Sequence, residues 1–403
     1  MTRLVYPTWS SITFTGVKFS GLHLNPCMFF FLALLMVGCG NRLDRKIQDR
    51  DARINGFLNE VIRDDEYPGI QYVVVDSGNV LYEFDGGWAD ILHRHPMKSS
   101  TTMMAYSMTK TFTAAAILQL VEQGKLSLDD SVVTYVPSSP YDRGMRIRHL
   151  ISQTSGIPDP IPLSWVHLAQ DHRTFNEHRA LETILKEHPK QEFSSGEKYA
   201  YSNISYWLLG IIIEKVSGQP YQKYMSENVF APLNLTPSDA GYSIVDASNH
   251  AKGYLKKYSF MNLFKSFLLD GKFIGEYEGG WLHINDHYLN GPGFGGMVTT
   301  AQAVATFLQD QMKHTSALFS NKTRNMFYTQ QKTNSGRPIA MTLGWHIGDL
   351  DGTLYYYKEG GGGGYHSEMR LFPKQKLATV IMVNETSSRC TDLQDVLDKE
   401  FMF

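Results

Sequence analysis

The sequence predicts an α/β fold of the α+β kind, with one central antiparallel sheet built from both chain ends and flanked by helices. A mostly helical region, residues 146–290, is inserted between. Two observations predict this. Strand-like runs lie towards both ends: 70–75 and 80–84 early, then 354–357, 369–372 and 378–383 late. The long apolar stretches, 108–121 and 204–216, lie between them and have helical length.

At 403 residues the chain has room for one large or two moderate domains, and 42% hydrophobic against 19% charged residues is a globular composition. Net charge is −2 with no Lys/Arg-rich run, so no nucleic-acid partner is expected. No metal-ligand spacing of the HExxH or paired CxxC type occurs, and no metal or other cofactor is expected. Cys27, Cys39 and Cys390 do not make a disulfide framework.

The elements follow in chain order. Residues 28–37, MFFFLALLMV, are too short to span a bilayer comfortably and suit a signal peptide. Gly38-Cys39 follows directly and resembles a bacterial lipoprotein cleavage site, with Met36 where Leu is more usual. Residues 1–39 are thus expected to be a signal peptide ending at a lipidated Cys39, and 40–403 the mature domain. The expected location is the periplasm or cell envelope, held at the membrane through the lipid anchor.

Ile54, Phe57, Leu58, Val61 and Ile62 repeat at helical spacing and open the folded part; Pro68-Gly69 ends that helix. Asp76-Ser77-Gly78 turns the first hairpin. Gly124 and Gly218 stop the two apolar helices, and 393–401 forms a last helix. Five glycines, Gly360 to Gly364, follow a strand. No GK[ST] comes after them, so they do not form a phosphate loop; they are expected to let a ligand approach the backbone. Phe260, Leu263, Phe264, Phe267 and Leu268 share helical spacing near Lys256, Lys257 and Lys265. A cap segment over about 255–290 is expected there, with a membrane-surface helix as the alternative.

Three short motifs carry the chemistry. Ser107-Met108-Thr109-Lys110 is an SxxK on an apolar helix. Positions i and i+3 share a face, so the amine reaches the hydroxyl; burial there disfavours the ammonium and leaves an amine able to take the serine proton. Tyr201-Ser202-Asn203 precedes the second apolar helix. Its phenol, near two lysines, is expected to ionise more easily and to shuttle protons. Lys358-Glu359-Gly360-Gly361 sits at a strand end, where the Gly361 N–H joins that of Ser107 as an oxyanion hole. Two decoys exist: Ser195 to Lys198 in a polar turn, and Tyr288 to Asn290 before a Gly-Pro-Gly.

The order SxxK, YSN, then Lys with Gly resembles class C β-lactamases, D-Ala-D-Ala carboxypeptidases and their esterase relatives. The resemblance covers about 50–395, with supporting stretches at 149–156, 209–214, 232–236, 295–299 and 364–370. It implies Ser107 as the acylated nucleophile, with Lys110 and Tyr201 sharing the general-base work. Asn203, Lys358, Glu359 and Gly360 would bind substrate, a small molecule or a peptidoglycan-derived one. The reaction implied is hydrolysis of an amide or ester through an acyl-enzyme; a non-catalytic binding or scaffold lipoprotein is the alternative. Glu359 stands where the antibiotic-active members usually have Thr, and a carboxylate there is expected to repel a substrate carboxylate.

Overall fold

The computed structural model describes residues 46–402, except 161–164, 264–269 and 387–389. The leader with Cys27 and Cys39, and Phe264, Lys265, Phe267 and Leu268, lie outside the described residues. Arg53–Phe403 form one compact unit, and the fold is that unit's.

A helix over 46–63 (α1) turns Ile54, Leu58 and Val61 inward. Then come strands β1 (Gly69–Val75), β2 (Val80–Asp90) and the short β3 (His95–Pro96). Asp76 Oδ1 closes the β1–β2 turn by accepting from the N–H groups of Gly78 and Asn79, both at 2.7 Å. Helix α2 (Thr109–Glu122) follows a short 3₁₀ turn, and α3 (Asn203–Ser217) comes later. The chain ends with β8 (His346–Leu350), β9 (Thr353–Gly362), β10 (Tyr365–Phe372), β11 (Leu377–Val383) and α4 (Cys390–Met402). The inserted region adds further short strands.

The seven-stranded sheet runs β8-β9-β10-β11-β1-β2-β3, every pair antiparallel. The first strand of the chain therefore pairs with the last, Ile70 opposite Val383. Period-2 alternation splits the strands between two cores. Val73, Met369, Val380 and Met382 join the larger core, which also holds Phe112 and Ile117 of α2 and Trp207 and Leu208 of α3, and the helix Ala301–Met312 packs directly on β1 and β11. Tyr72, Val74, Phe372 and Ile381 face α1 and α4, with Leu58, Leu393 and Leu397. Helix α2 is buried along nearly its whole length, because its apolar residues surround the axis rather than lining one face.

The inserted region holds more strand than its sequence suggests. Val166–Leu168 pairs with β7 (His287–Leu289). β4 (Gly253–Lys256), β6 (Trp281–Ile284) and β5 (Ile274–Glu278) form a three-stranded sheet, where a mostly helical segment was expected. Of the helical pattern over 260–268, the described residues hold one turn, Phe260–Leu263. Leu255, Leu282 and Ile284 explain the difference: strand pairing collects them into a small core of their own. Side chains then tie this sheet down. Lys252 Nζ and Tyr254 Oη each donate to Glu278 at 2.7 Å, and Trp281 Nε1 donates to Asp65 at 2.7 Å.

Candidate active site

Ser107 sits in the single 3₁₀ turn, Tyr106–Met108, that feeds α2. The turn starts from a strained residue: Tyr106 has φ 43°, a left-handed value that costs a non-glycine residue about 1–3 kcal/mol. Its ring is held at the far end. The hydroxyl donates to the Gly363 carbonyl at 2.8 Å and lies 2.9 Å from Nε2 of the buried His287 on β7.

Lys110 comes one turn after Ser107 and is 0% exposed. Its Nζ lies 2.8 Å from Ser107 Oγ, 2.6 Å from Asn203 Oδ1 and 2.6 Å from the Phe294 carbonyl oxygen. All three partners are uncharged. Burial, and next the Lys358 charge, push the Lys110 pKa well below its ordinary value, while Asp159 works against them. This is an amine positioned to accept a proton from the serine.

Tyr201 and Asn203 flank Ser202, whose hydroxyl caps α3 by accepting from the Ser205 N–H at 3.2 Å. The cap sends Tyr201 Oη to 2.7 Å from Ser107 Oγ and Asn203 to Lys110. The expectation that Tyr201 ionises easily is overturned. Burial raises its pKa far above the ordinary phenol value. Both neighbouring lysines are themselves buried and inclined to lose their charge, so desolvation outweighs them.

Lys358, on β9, is 1% exposed and not the solvated lysine of an ordinary strand end. Its Nζ lies 4.9 Å from the Tyr201 ring centre and makes no hydrogen bond among the described residues. Burial brings its pKa down to about 7. Glu359 follows on the opposite face by strand alternation. It is partly exposed and lies 2.6 Å from Nε2 of His366 on the neighbouring strand β10. The carboxylate thus has an imidazole partner within its own sheet.

The glycine run is part of the sheet rather than a loop. β9 continues to Gly362, and the chain turns at Gly363-Gly364. A Cβ on Gly360 would overlap the Ala105 carbonyl and stand 3.0 Å from the Ser107 nitrogen; one on Gly362 would strike the Tyr106 ring. These glycines therefore admit the chain's own nucleophile turn, where ligand approach was expected. They bring the β9 backbone, with Gly361, alongside Ser107.

Neither decoy lies here. Ser195 is buried but donates to the Ser155 carbonyl at 3.0 Å, while Lys198 lies over the Phe193 ring. Tyr288 accepts from the Ile244 N–H at 2.7 Å and stacks on His172. Four residues at the site went unnoticed in the sequence: Tyr106, His287, Asp159 and His346. Asp159 accepts from the Asn203 N–H and side-chain Nδ2, and His346 Nε2 lies 3.3 Å from the Tyr199 hydroxyl. Adjacency was the available signal for two of them. Tyr106 precedes the SxxK, and Asp159 follows the 149–156 stretch closely.

A family model described as Beta-lactamase matches residues 43–400. Penicillin-binding protein 4* of Bacillus subtilis (strain 168) is 26% identical over 278 residues, 68% of this chain and 58% of that protein. The chain thus spans somewhat over half the length of that curated relative. Two solved structures share the fold. The D-amino acid amidase from Ochrobactrum anthropi SV3 has a TM-score of 0.70 at 18% identity, over 88% of this chain and 98% of that one. A class C beta-lactamase has a TM-score of 0.67 at 20% identity, over 89% and 96%.

Proposed function

We propose, from the premise that the chain belongs to the β-lactamase family, that it hydrolyses an amide or ester through an acyl-enzyme on Ser107. One observation carries this reading. A single serine hydroxyl lies 2.8 Å from a fully buried amine whose hydrogen-bond partners are all uncharged and 2.7 Å from the half-buried phenol of Tyr201.

The Ser107 oxygen attacks the substrate carbonyl carbon, and its proton passes to neutral Lys110. Tyr201 keeps its proton at rest. As the tetrahedral intermediate collapses it donates that proton to the leaving nitrogen or oxygen, and is reprotonated from Lys110. The N–H groups of Ser107 and Gly361 hold the developing oxyanion. Water then attacks the acyl-enzyme by the same route in reverse. Asn203 keeps Lys110 in place. Lys358 recovers its full charge when an anionic group of the substrate binds beside it.

The substrate class is a small molecule or a D-Ala-type peptide, since the named relatives include a penicillin-binding protein and a D-amino acid amidase. The leader pattern ending at Gly38-Cys39 supports export, a lipid anchor on Cys39 and a site in the cell envelope. Nucleic acid has no part in this reading.

The test is intact mass of the full chain after incubation with benzylpenicillin, a fluorophosphonate and a short-chain nitrophenyl ester, beside Ser107→Ala. A fluorophosphonate adduct and ester turnover, both absent in Ser107→Ala, are expected. A penicillin adduct points to wall peptides or antibiotics as substrates. No adduct and no turnover from folded protein would overturn the reading.

A further inference from the structure

Asp159 lies in the segment after the short helix Ile147–Ile151, 44 residues before Asn203 in the chain, and it touches neither Ser107 nor Lys110 by a direct hydrogen bond. One carboxylate oxygen, Oδ1, accepts from the Asn203 backbone N–H at 2.8 Å and from Asn203 Nδ2 at 3.1 Å. On the other side of the same amide, Oδ1 of Asn203 is 2.6 Å from Lys110 Nζ. An amide fits this space in two orientations that differ by exchange of oxygen and nitrogen. A carboxylate has no proton to give, so it admits only the orientation with Nδ2 towards it. The amide oxygen is then left for Lys110.

We propose that Asp159 is a positioning residue of this site: it locks the Asn203 amide so that its oxygen faces Lys110, and it supplies the negative charge that accompanies the buried amine. The inference rests on the acyl-enzyme reading above. Lys110 is faced by Lys358 from β9, by Tyr201 and Tyr206 from α3 and its cap, by the Phe294 carbonyl and ring, and by Asp159 through the amide. His346 adds a neutral imidazole, its pKa held down by burial and by both lysines. Asp159 is the negative group in that set, and its charge raises the Lys110 pKa against burial and Lys358. Burial raises the pKa of Asp159 itself, the Asn203 hydrogen bonds oppose that rise, and Glu192 adds to it. The carboxylate thus keeps Lys110 from losing its affinity for the proton it must accept.

The experiment follows the rate of fluorophosphonate labelling of Ser107 against pH, by intact mass, in the full chain. Its acid limb reports deprotonation of Lys110. Asp159→Asn removes the charge and keeps an acceptor for the Asn203 N–H. The ammonium is then disfavoured, so the limb moves to lower pH, by about half a unit or more, with a plateau within about threefold of the parent. Asp159→Ala removes the lock as well, and its plateau falls about tenfold. In an Asn203→Ala background that plateau loss disappears, because there is no amide left to orient. A merely structural role moves neither the limb nor the dependence on Asn203. An unmoved limb, or a plateau loss that persists in Asn203→Ala, overturns the inference. Asp159→Asn, the isosteric change, decides the charge role even where the alanine variant does not fold. Wild-type protein with no Ser107 labelling would instead remove the acyl-enzyme reading itself.

Discussion

Two basic side chains lie fully buried, Arg370 on the sheet and Lys110 on α2, and they are treated in opposite ways. Arg370, on β10, is 0% exposed and faces α4. Its Nε donates to Glu368 at 2.7 Å and one terminal nitrogen to Asp398 at 3.1 Å, and these carboxylates raise its pKa further. Lys110 is equally buried and receives three hydrogen-bond partners, all of them uncharged. Neutral oxygens satisfy the donors without stabilising the charge, so the Lys110 pKa falls. Side-chain chemistry fits each case. Arginine keeps its proton under any surroundings and serves as a fixed tie, whereas a lysine desolvated in this way becomes a base. Burial alone therefore does not mark a catalytic base; the charge of its partners does.

Three changes break or sharpen that contrast. Lys110→Met should keep the fold and lower Ser107 labelling by about 10⁴-fold, since it removes the proton acceptor and leaves the nucleophile in place. The measurement is single-turnover labelling with the melting transition as control, and a loss under tenfold would make Tyr201 the base.

Arg370→Met should do the reverse. It strands Glu368 and Asp398 in the core at a cost of about 3–5 kcal/mol in urea unfolding, while labelling per folded molecule stays near the parent's. Asp398 already sits at about 7 because burial outweighs Arg370. Without the arginine it rises further and protonates, so the loss should be smaller at pH 5 than at pH 8.

Lys358→Met tests the intermediate case, a buried amine with no hydrogen bond among the described residues. Its folded pKa of about 7 lies below the unfolded value of 10.5. The unfolded chain therefore binds the extra proton between those values, and the penalty on folding is largest below about pH 7 and gone above about 10.5. The variant should be more stable than its parent by about 2 kcal/mol at pH 6 and by much less at pH 10. Equal gains at both pH values would show that Lys358 keeps its charge in the folded protein.

The sequence by itself determined the sheet from both ends, the two apolar helices with their glycine stops, and the motifs that the structure brings together. These are local facts: period-2 and helical spacing, and a three-residue offset between Ser107 and Lys110. The strands within 253–284 were not legible in the sequence, because their partners lie 25 to 31 residues apart. The desolvation of Lys110 was legible in its apolar helix, but tertiary structure decided the rest of the electrostatics. Whether Tyr201 is a phenol or a phenolate, whether Glu359 finds His366, and whether Asp159 orients Asn203 all depend on groups far apart in the chain and on how much water they lose. For these groups desolvation belongs to the packed neighbourhood rather than to the residue.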